Sequence, residues 1–375
     1  MIETNRLLVA VSCLVLSISQ LTPADAQTLV PDATTCGGCS ISVVPVVKLG
    51  TTDGPGALGD IVRVEVDGRG RYWVFSSAHP PVVFEPTGRP IGEVARYGGG
   101  PGEARAPRSI WQLPGDSTAL VDASGQLSIF DPSLRYQRTV VNPIRGMFAA
   151  QVLDWPRRVL VNAMIRTPNE VGIPLHVLNL AGDRPRIETS FGASRQQKVT
   201  PATFAAIPQL ITRPRNGYFW TASSSTYTLT RWDAELKPVM VLRRRPTWFS
   251  EPSDLLNGGP NHPPSPRLIG LGEDPTGLLW SICLVPSPDY AEAWANVPRQ
   301  RGSGGVSEIR AAAIDFSKLH YTTVEVIDPR TPAVVASTTL RRRPISTLPD
   351  ARLAFAATLP DGTPVVEVVQ LRLNQ

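Results

Sequence analysis

Strand-like apolar runs alternate with clusters of Gly, Pro, Asp and Thr along nearly the whole chain, and the 3.6-residue period of amphipathic helices is scarce. The pattern also repeats. Gly54-Pro55-Gly56 and Gly100-Pro101-Gly102 lie 46 residues apart, and Gly-x-x-Trp recurs at Gly70–Trp73, Gly217–Trp220 and Gly277–Trp280. A third feature recurs as Val83-Phe84-Glu85-Pro86, Ile129-Phe130-Asp131-Pro132, Val177-Leu178-Asn179-Leu180, Arg231-Trp232-Asp233-Ala234 and Val326-Ile327-Asp328-Pro329, each an apolar strand end running into a polar turn. A period of ~40–50 residues is that of four-stranded blades arranged radially. Blades pack face to face, so a central strand is covered on both sides and can be apolar throughout, as at Tyr72-Trp73-Val74-Phe75 and Leu278-Leu279-Trp280.

These repeats predict an all-β, six-bladed β-propeller, with blades over about 57–96, 105–142, 148–193, 204–245, 265–343 and 345–375. The last unit is short of one strand, and Ser40–Leu49 is a strand without a unit. Pairing the two completes the sixth blade and removes both open sheet edges. The interval between the last two strand-end turns is about 95 residues, so blade five carries an insertion over about 285–320, in which Tyr290–Ala295 and Ser307–Lys318 favour short helices. The domain plan is 1–26, 27–39 with a Cys-Gly-Gly-Cys, and 40–375 as the propeller.

Residues 1–26 have the form of a signal peptide. Arg6 precedes an apolar run from Leu7 to Ile18, and Ala24-Asp25-Ala26 offers a small-x-small cleavage site. A lipoprotein would instead use Cys13, but the apolar run continues past it. No later stretch is long and apolar enough to span a bilayer, so an exported chain, periplasmic or extracellular, is expected. With 30 Gly and 37 Pro in 375 residues, the chain stays below the ~25–30 % of these residues that marks disorder. Cys36 and Cys39 are disulfide candidates in an oxidising compartment, with free thiols, redox use or metal binding as the other readings. Cys283, in an apolar strand, reads as a small buried hydrophobe.

One stretch, Asp67 to Pro107, is similar to the NHL-repeat six-bladed β-propellers. It carries Asp67-Gly68, His79, Val83-Phe84, Gly88 and Gly100-Pro101-Gly102 where that repeat has its Asp turn, its His, its strand end with Gly, and its Gly-Pro-Gly. It departs at Ala78, where the family has Asn, and at Pro80-Pro81. The resemblance covers the first blade best and implies the fold more than an activity.

Gly-x-Ser-x-Gly, His-Glu-x-x-His, Walker and EF-hand motifs are missing. Gly54-x-Gly56-x-x-Gly59 spells a dinucleotide fingerprint, but a strand follows it where a helix is required. Propeller sites gather at one end of the central channel, on the face built by inter-blade loops and by second-to-third strand loops. Mapping places His79, His262 and His320 on that face, a zinc set in a lyase-like alternative. A calcium lactonase- or esterase-like site would need converging carboxylates, whereas the first strands open with Asp60, Arg108, Gln151 and Arg267.

The net charge is +5, and nearly all the cations are arginine. Arg96, Arg105, Arg108, Arg145, Arg166, Arg195 and Arg267 map to the same loops, as do the Arg-Arg-Arg-Pro runs at Arg243–Pro246 and Arg341–Pro344. An arginine-rich rim attracts anions, and strand-end arginines also serve simply to keep edges solvated. The expectation is a binding module for a protein partner or anionic ligand, using Arg108, Arg267, Arg145, Arg96 and Gln151. No cofactor is implied, and neither is nucleic acid, since the aromatic side chains needed for base stacking are sparse there.

Overall fold

A computed structural model describes residues 27–77, 79–144, 147–166, 171–182, 184–192, 208–250, 258–296 and 314–375. The leader, residues 1–26, lies outside the described residues. Six sheets of four or five strands are present, with one two-stranded ribbon between the first two. Within each of the six, consecutive strands pair antiparallel from the channel outward. The innermost strands are Ile61–Val66, Pro107–Gln112, Met147–Asp154, Gln209–Ile211, Arg267–Glu273 and Ser346–Leu348, defining blades one to six.

The ring closes as the sequence predicts. Ser40–Leu49 pairs antiparallel with Pro364–Asn374, from Ser40 opposite Asn374 to Leu49 opposite Val366, and forms the outer strand of blade six. Six apolar clusters of buried side chains lie one at each blade boundary. The cluster with Leu49, Val64, Tyr72, Phe84, Leu348 and Val366 joins blade six to blade one, so the core is a continuous circle of inter-blade interfaces rather than a single centre.

The local turns follow from their residues. Gly70, Gly217 and Gly277 all have φ near +80°, the left-handed region that a tight turn between first and second strands needs and that Gly adopts without a Cβ clash. In blades one and five an aspartate six residues before the tryptophan finishes the turn. Asp67 accepts from the backbone N–H of Arg69 and Arg71 and from Trp73 Nε1 at 3.0 Å. Asp274 accepts from the N–H of Thr276 and Leu278 and from Trp280 Nε1, also at 3.0 Å. In blade four Pro214 occupies that place, so Trp220 has no carboxylate on its own turn. Both Gly-Pro-Gly elements lie in inter-blade connections, and Ile61–Val66 follows the first of them as a strand. No helix N-terminus is available there to hold a dinucleotide.

One feature, a strap, goes beyond the expected plan, and the expected insertion in blade five is present. Residues 27–39 are a strap around the outside of the ring. Gln27–Leu29 adds a fifth, parallel strand to blade four, Val30 is buried between blades four and five, and Thr34 bridges to Val334 on the outer strand of blade five. The strap then turns at the Cys36–Cys39 disulfide into the closing strand of blade six. The insertion in blade five joins its second strand, Leu279–Pro286, to its third, His320–Asp328. Its described parts are a 3-10 turn at Tyr290–Trp294 and a short helix at Phe316–Leu319, which share a small core of Ala293, Trp294 and Leu319. Most of the helix expected over Ser307–Lys318 falls outside the described residues.

Candidate functional site

Each innermost strand starts at the face of the inter-blade loops and runs through the ring. The six together line an open channel with a cavity of about 1080 Å³, the top of the size range in which preformed ligand sites fall. Arg63 and Glu65 line it along the first innermost strand, Arg108 near the start of the second, and Gln151 in blade three. Glu65 organises this wall. Its Oε2 accepts from the Ile110 N–H at 2.7 Å and its Oε1 from Arg63 Nη1 at 3.2 Å. Withdrawal from bulk water raises the Glu65 carboxyl, against the pull of Arg63 and the Ile110 N–H. Arg63 also reaches the Arg108 carbonyl at 3.4 Å. Arg108, exposed in the cavity wall, has no carboxylate partner among the described residues. Trp111 and Trp280 complete apolar parts of the same wall.

The opposite end, where the innermost strands finish, is of mixed charge. Arg213, Arg215, Glu273 and Asp350 line it. Burial lowers the Arg213 pKa while Asp350 favours its charge, and burial raises Glu273 against Arg231 and Arg215. Interleaved cations and carboxylates largely cancel in the far field at that end.

The remaining predicted residues are scattered. Arg96 is exposed on the ribbon strand Arg96–Tyr97, paired parallel to Glu103–Ala104 in the connection between blades one and two, and does not line the channel. Arg145 lies outside the described residues. Asp60 accepts from the Ser77 hydroxyl and N–H and does not itself line the channel cavity. The three histidines stand in three settings. His79 is exposed in the loop beside Asp60, His262 is exposed in a turn bridged to Gly259, and His320 is fully buried in blade five. Among the described residues no three His, Cys, Asp or Glu side chains are grouped to hold a metal ion, so the proposed zinc set is not assembled. Cys283 is free and buried.

Arg267 also departs from expectation. It begins the innermost strand of blade five but is absent from the channel wall. Sheet register explains this. Arg267 pairs with Leu284, Leu284 with Thr322, and Pro286 with His320, which sets Arg267 and His320 on the side of the sheet that faces blade six.

The first Arg-Arg-Arg-Pro run is not a solvated strand end. Arg244 is buried between blades four and five, where its Nη2 meets Glu325 Oε1 at 2.5 Å and its Nε meets Oε2 at 3.1 Å, the two side chains being 1 % and 3 % exposed. Its Nη1 donates to the Val30 and Pro31 carbonyls and to Asp32 at 2.7 Å, pinning the strap. Tyr227 donates to Glu325 and contacts Ser281, and burial, with the charge of Glu325 adding to it, raises its phenol well above the usual range. Sequence reasoning missed this network, although Glu325 was a visible signal: a lone carboxylate inside the apolar strand Tyr321–Ile327 requires a buried partner.

No family model matches the chain, and no curated protein matches it. Among solved structures, a Bacteroides fragilis NCTC 9343 protein inferred to be exported is similar at 10 % identity with a TM-score of 0.54, over 93 % of this chain and 99 % of that one. The β-propeller domain of Myceliophteria thermophila Cps50 (Swd1) aligns at 10 % identity and a TM-score of 0.41, over 84 % and 97 % of the two chains. The first likeness agrees with the propeller fold. No helix among the described residues is long and apolar enough to cross a membrane.

Proposed function

We propose that this protein is an exported binding module that takes an anionic ligand, free or carried by a protein partner, at the Arg63–Arg108 end of its channel. The observation that carries this reading is a preformed cavity of about 1080 Å³ whose wall holds Arg108, a guanidinium without a carboxylate partner among the described residues, beside an Arg63–Glu65 pair. A guanidinium fork suits carboxylate and phosphate oxygens, and Gln151 adds a neutral donor and acceptor on the same wall.

Export is supported by the leader pattern and by the placement of Gln27, the first residue after the small-x-small site, which already pairs in blade four. The Cys36–Cys39 disulfide suits an oxidising compartment. The Asp67 and Asp274 turns suit descent from an NHL-like repeat. A metal-dependent hydrolase or lyase at the same mouth has no donor set among the described residues to rest on.

Trp111 and Trp280 in the channel wall supply a probe. Titration with citrate and with glucose 6-phosphate, followed by tryptophan fluorescence, is expected to show saturable change with at least one of them. The Arg108→Glu substitution is expected to weaken that response more than tenfold. A response that Arg108→Glu leaves intact would overturn the channel site.

A further inference from the structure

The second Arg-Arg-Arg-Pro run sits in the connection from blade five to blade six, on the inter-blade-loop face. Arg341 and Arg342 behave as surface residues. Arg342 pairs with Glu367 at 3.0 Å and lies over the Phe355 ring at 4.3 Å. Arg343 is different. It is half-buried, lies 5.3 Å over the Phe316 ring of the insertion helix, and makes no ion pair among the described residues. Arg267, also half-buried, shares with His320 the sheet side that faces blade six, and Arg342, next to Arg343 in the chain, accepts through its carbonyl from Thr322 Oγ1, two residues from His320; burial first, and then the charge of Arg343, lower the Arg267 pKa. Among the described residues Arg267 has no hydrogen-bond or ion-pair partner.

His320 completes the group. It is fully buried, and neither ring nitrogen makes a hydrogen bond of normal geometry. Burial first, then Arg267 and Arg343, pull its pKa down to about 3, and an approach to the Ser265 backbone is the one influence that favours protonation. Two like charges and an unsatisfied histidine in one half-buried place are costly unless something supplies the missing acceptor. No carboxylate among the described residues does so. None of the three residues lines the channel cavity.

We infer that Arg267 and Arg343, with His320 on their inner side, form a second anion site, at the rim between blades five and six, which takes an oxyanion of the phosphate, sulfate or carboxylate class. Arg267 and Arg343 are each partly exposed, whereas His320 is fully buried on the same side of the sheet as Arg267. Planar forks converging on tetrahedral or planar oxygens give the bidentate contacts in which arginine exceeds lysine. The site shares no residue with the Arg63–Arg108 channel end, so either can fail without the other.

The test is calorimetric titration of the purified full chain with inorganic phosphate, repeated with sulfate and with acetate, on the native protein and on Arg267→Met, Arg267→Lys, Arg343→Gln and Arg138→Gln. Arg138 is exposed on the outer strand of blade two and controls for the loss of one positive charge. Saturable phosphate binding is expected, with Kd raised at least tenfold in Arg267→Met and Arg343→Gln, less in Arg267→Lys, and unchanged in Arg138→Gln. The ranking of phosphate, sulfate and acetate identifies the preferred oxyanion. A second readout separates a site from a structural role. Without phosphate, Arg267→Met is expected to melt at or above the native temperature, because a repulsive charge has gone, while losing the phosphate-induced rise. Absence of saturable binding by all three anions, equal losses in Arg138→Gln and Arg267→Met, or a lowered phosphate-free melting temperature in Arg267→Met would each overturn the site.

Discussion

The same tetrapeptide, Arg-Arg-Arg-Pro, occurs at Arg243–Pro246 and Arg341–Pro344, and each copy follows the outer strand of a blade. Their surroundings differ in one respect that decides their roles. Arg244 meets Glu325, two strap carbonyls and Asp32. Arg343 lies over an aromatic ring, has no carboxylate partner among the described residues, and is near enough to Arg267 to disfavour its charge. A buried cation with its acceptors filled is part of the scaffold. A half-buried cation facing a like charge stores repulsion that a bound anion can relieve. The contrast teaches that arginine content alone does not mark a binding face; what marks it is a guanidinium for which the fold supplies no acceptor. Arg108 in the channel and Arg267 at the rim meet that criterion, and Arg244 does not.

The comparison can be broken most forcefully at Glu325. Glu325→Ala leaves Arg244 buried without its main partner and Tyr227 without its acceptor. A loss of about 3–5 kcal/mol is expected, seen as a fall in melting temperature on the order of 10 °C. The double substitution Arg244→Met with Glu325→Leu removes both charges and is expected to recover much of that loss. A double variant as unstable as the single one would show that the pair is not what Glu325 contributes.

His320 sharpens the other half. Its pKa is about 3 in the folded protein against 6.5 for the free side chain, so between those values the unfolded chain holds a proton that the folded one does not. The stability that comes from a neutral His320 is therefore complete above about pH 6.5 and is lost as pH falls towards 3, at up to ~1.4 kcal/mol per pH unit. His176, buried with its ring bonded to Ser190 and the Ala163 carbonyl, is shifted in the same direction by burial. Denaturant melts between pH 7 and pH 5 should thus be less steep in pH for His320→Gln than for the native chain. Phosphate, by placing negative charge beside Arg267 and Arg343, should also flatten the native profile. A native profile that His320→Gln leaves unchanged would contradict the placement of this residue.

A smaller effect is expected at the repeated turn. Asp67→Asn keeps the size of the side chain but removes a charge that pairs with Arg71 Nε at 2.6 Å and accepts from Trp73 Nε1. About 1–3 kcal/mol of destabilisation follows from weakened charge-assisted bonds at a buried site. The same change at the half-buried turn residue Asp233, which accepts from the Lys237 N–H, should cost less than half as much.

Much of the scaffold was legible in the chain because blade packing imposes a period. The strand-end turns at Phe84, Phe130, Asn179, Trp232 and Asp328 fall at the ends of third strands, and the stray strand Ser40–Leu49 completes blade six. The strap was not legible, since Gln27–Leu29 is too short to read as a strand and is held by Arg244, more than two hundred residues away. The site was only partly legible. Arg108 and Gln151 reach the channel, but a shared loop face does not make Arg96 or Arg267 line it, because side-chain direction depends on register and on the bulge between Leu268 and Gly270. The three histidines share a face by topology and still do not meet.

The most direct measurement compares the melting temperatures of Arg244→Met and Arg267→Met in phosphate-free buffer. Arg244→Met should melt several degrees below the native protein, having stripped Glu325 and the strap of their donor, and Arg267→Met should melt at or above it. Equal falls in both would mean that the two arginines are alike, and that the fold does not separate a scaffold cation from a ligand-seeking one.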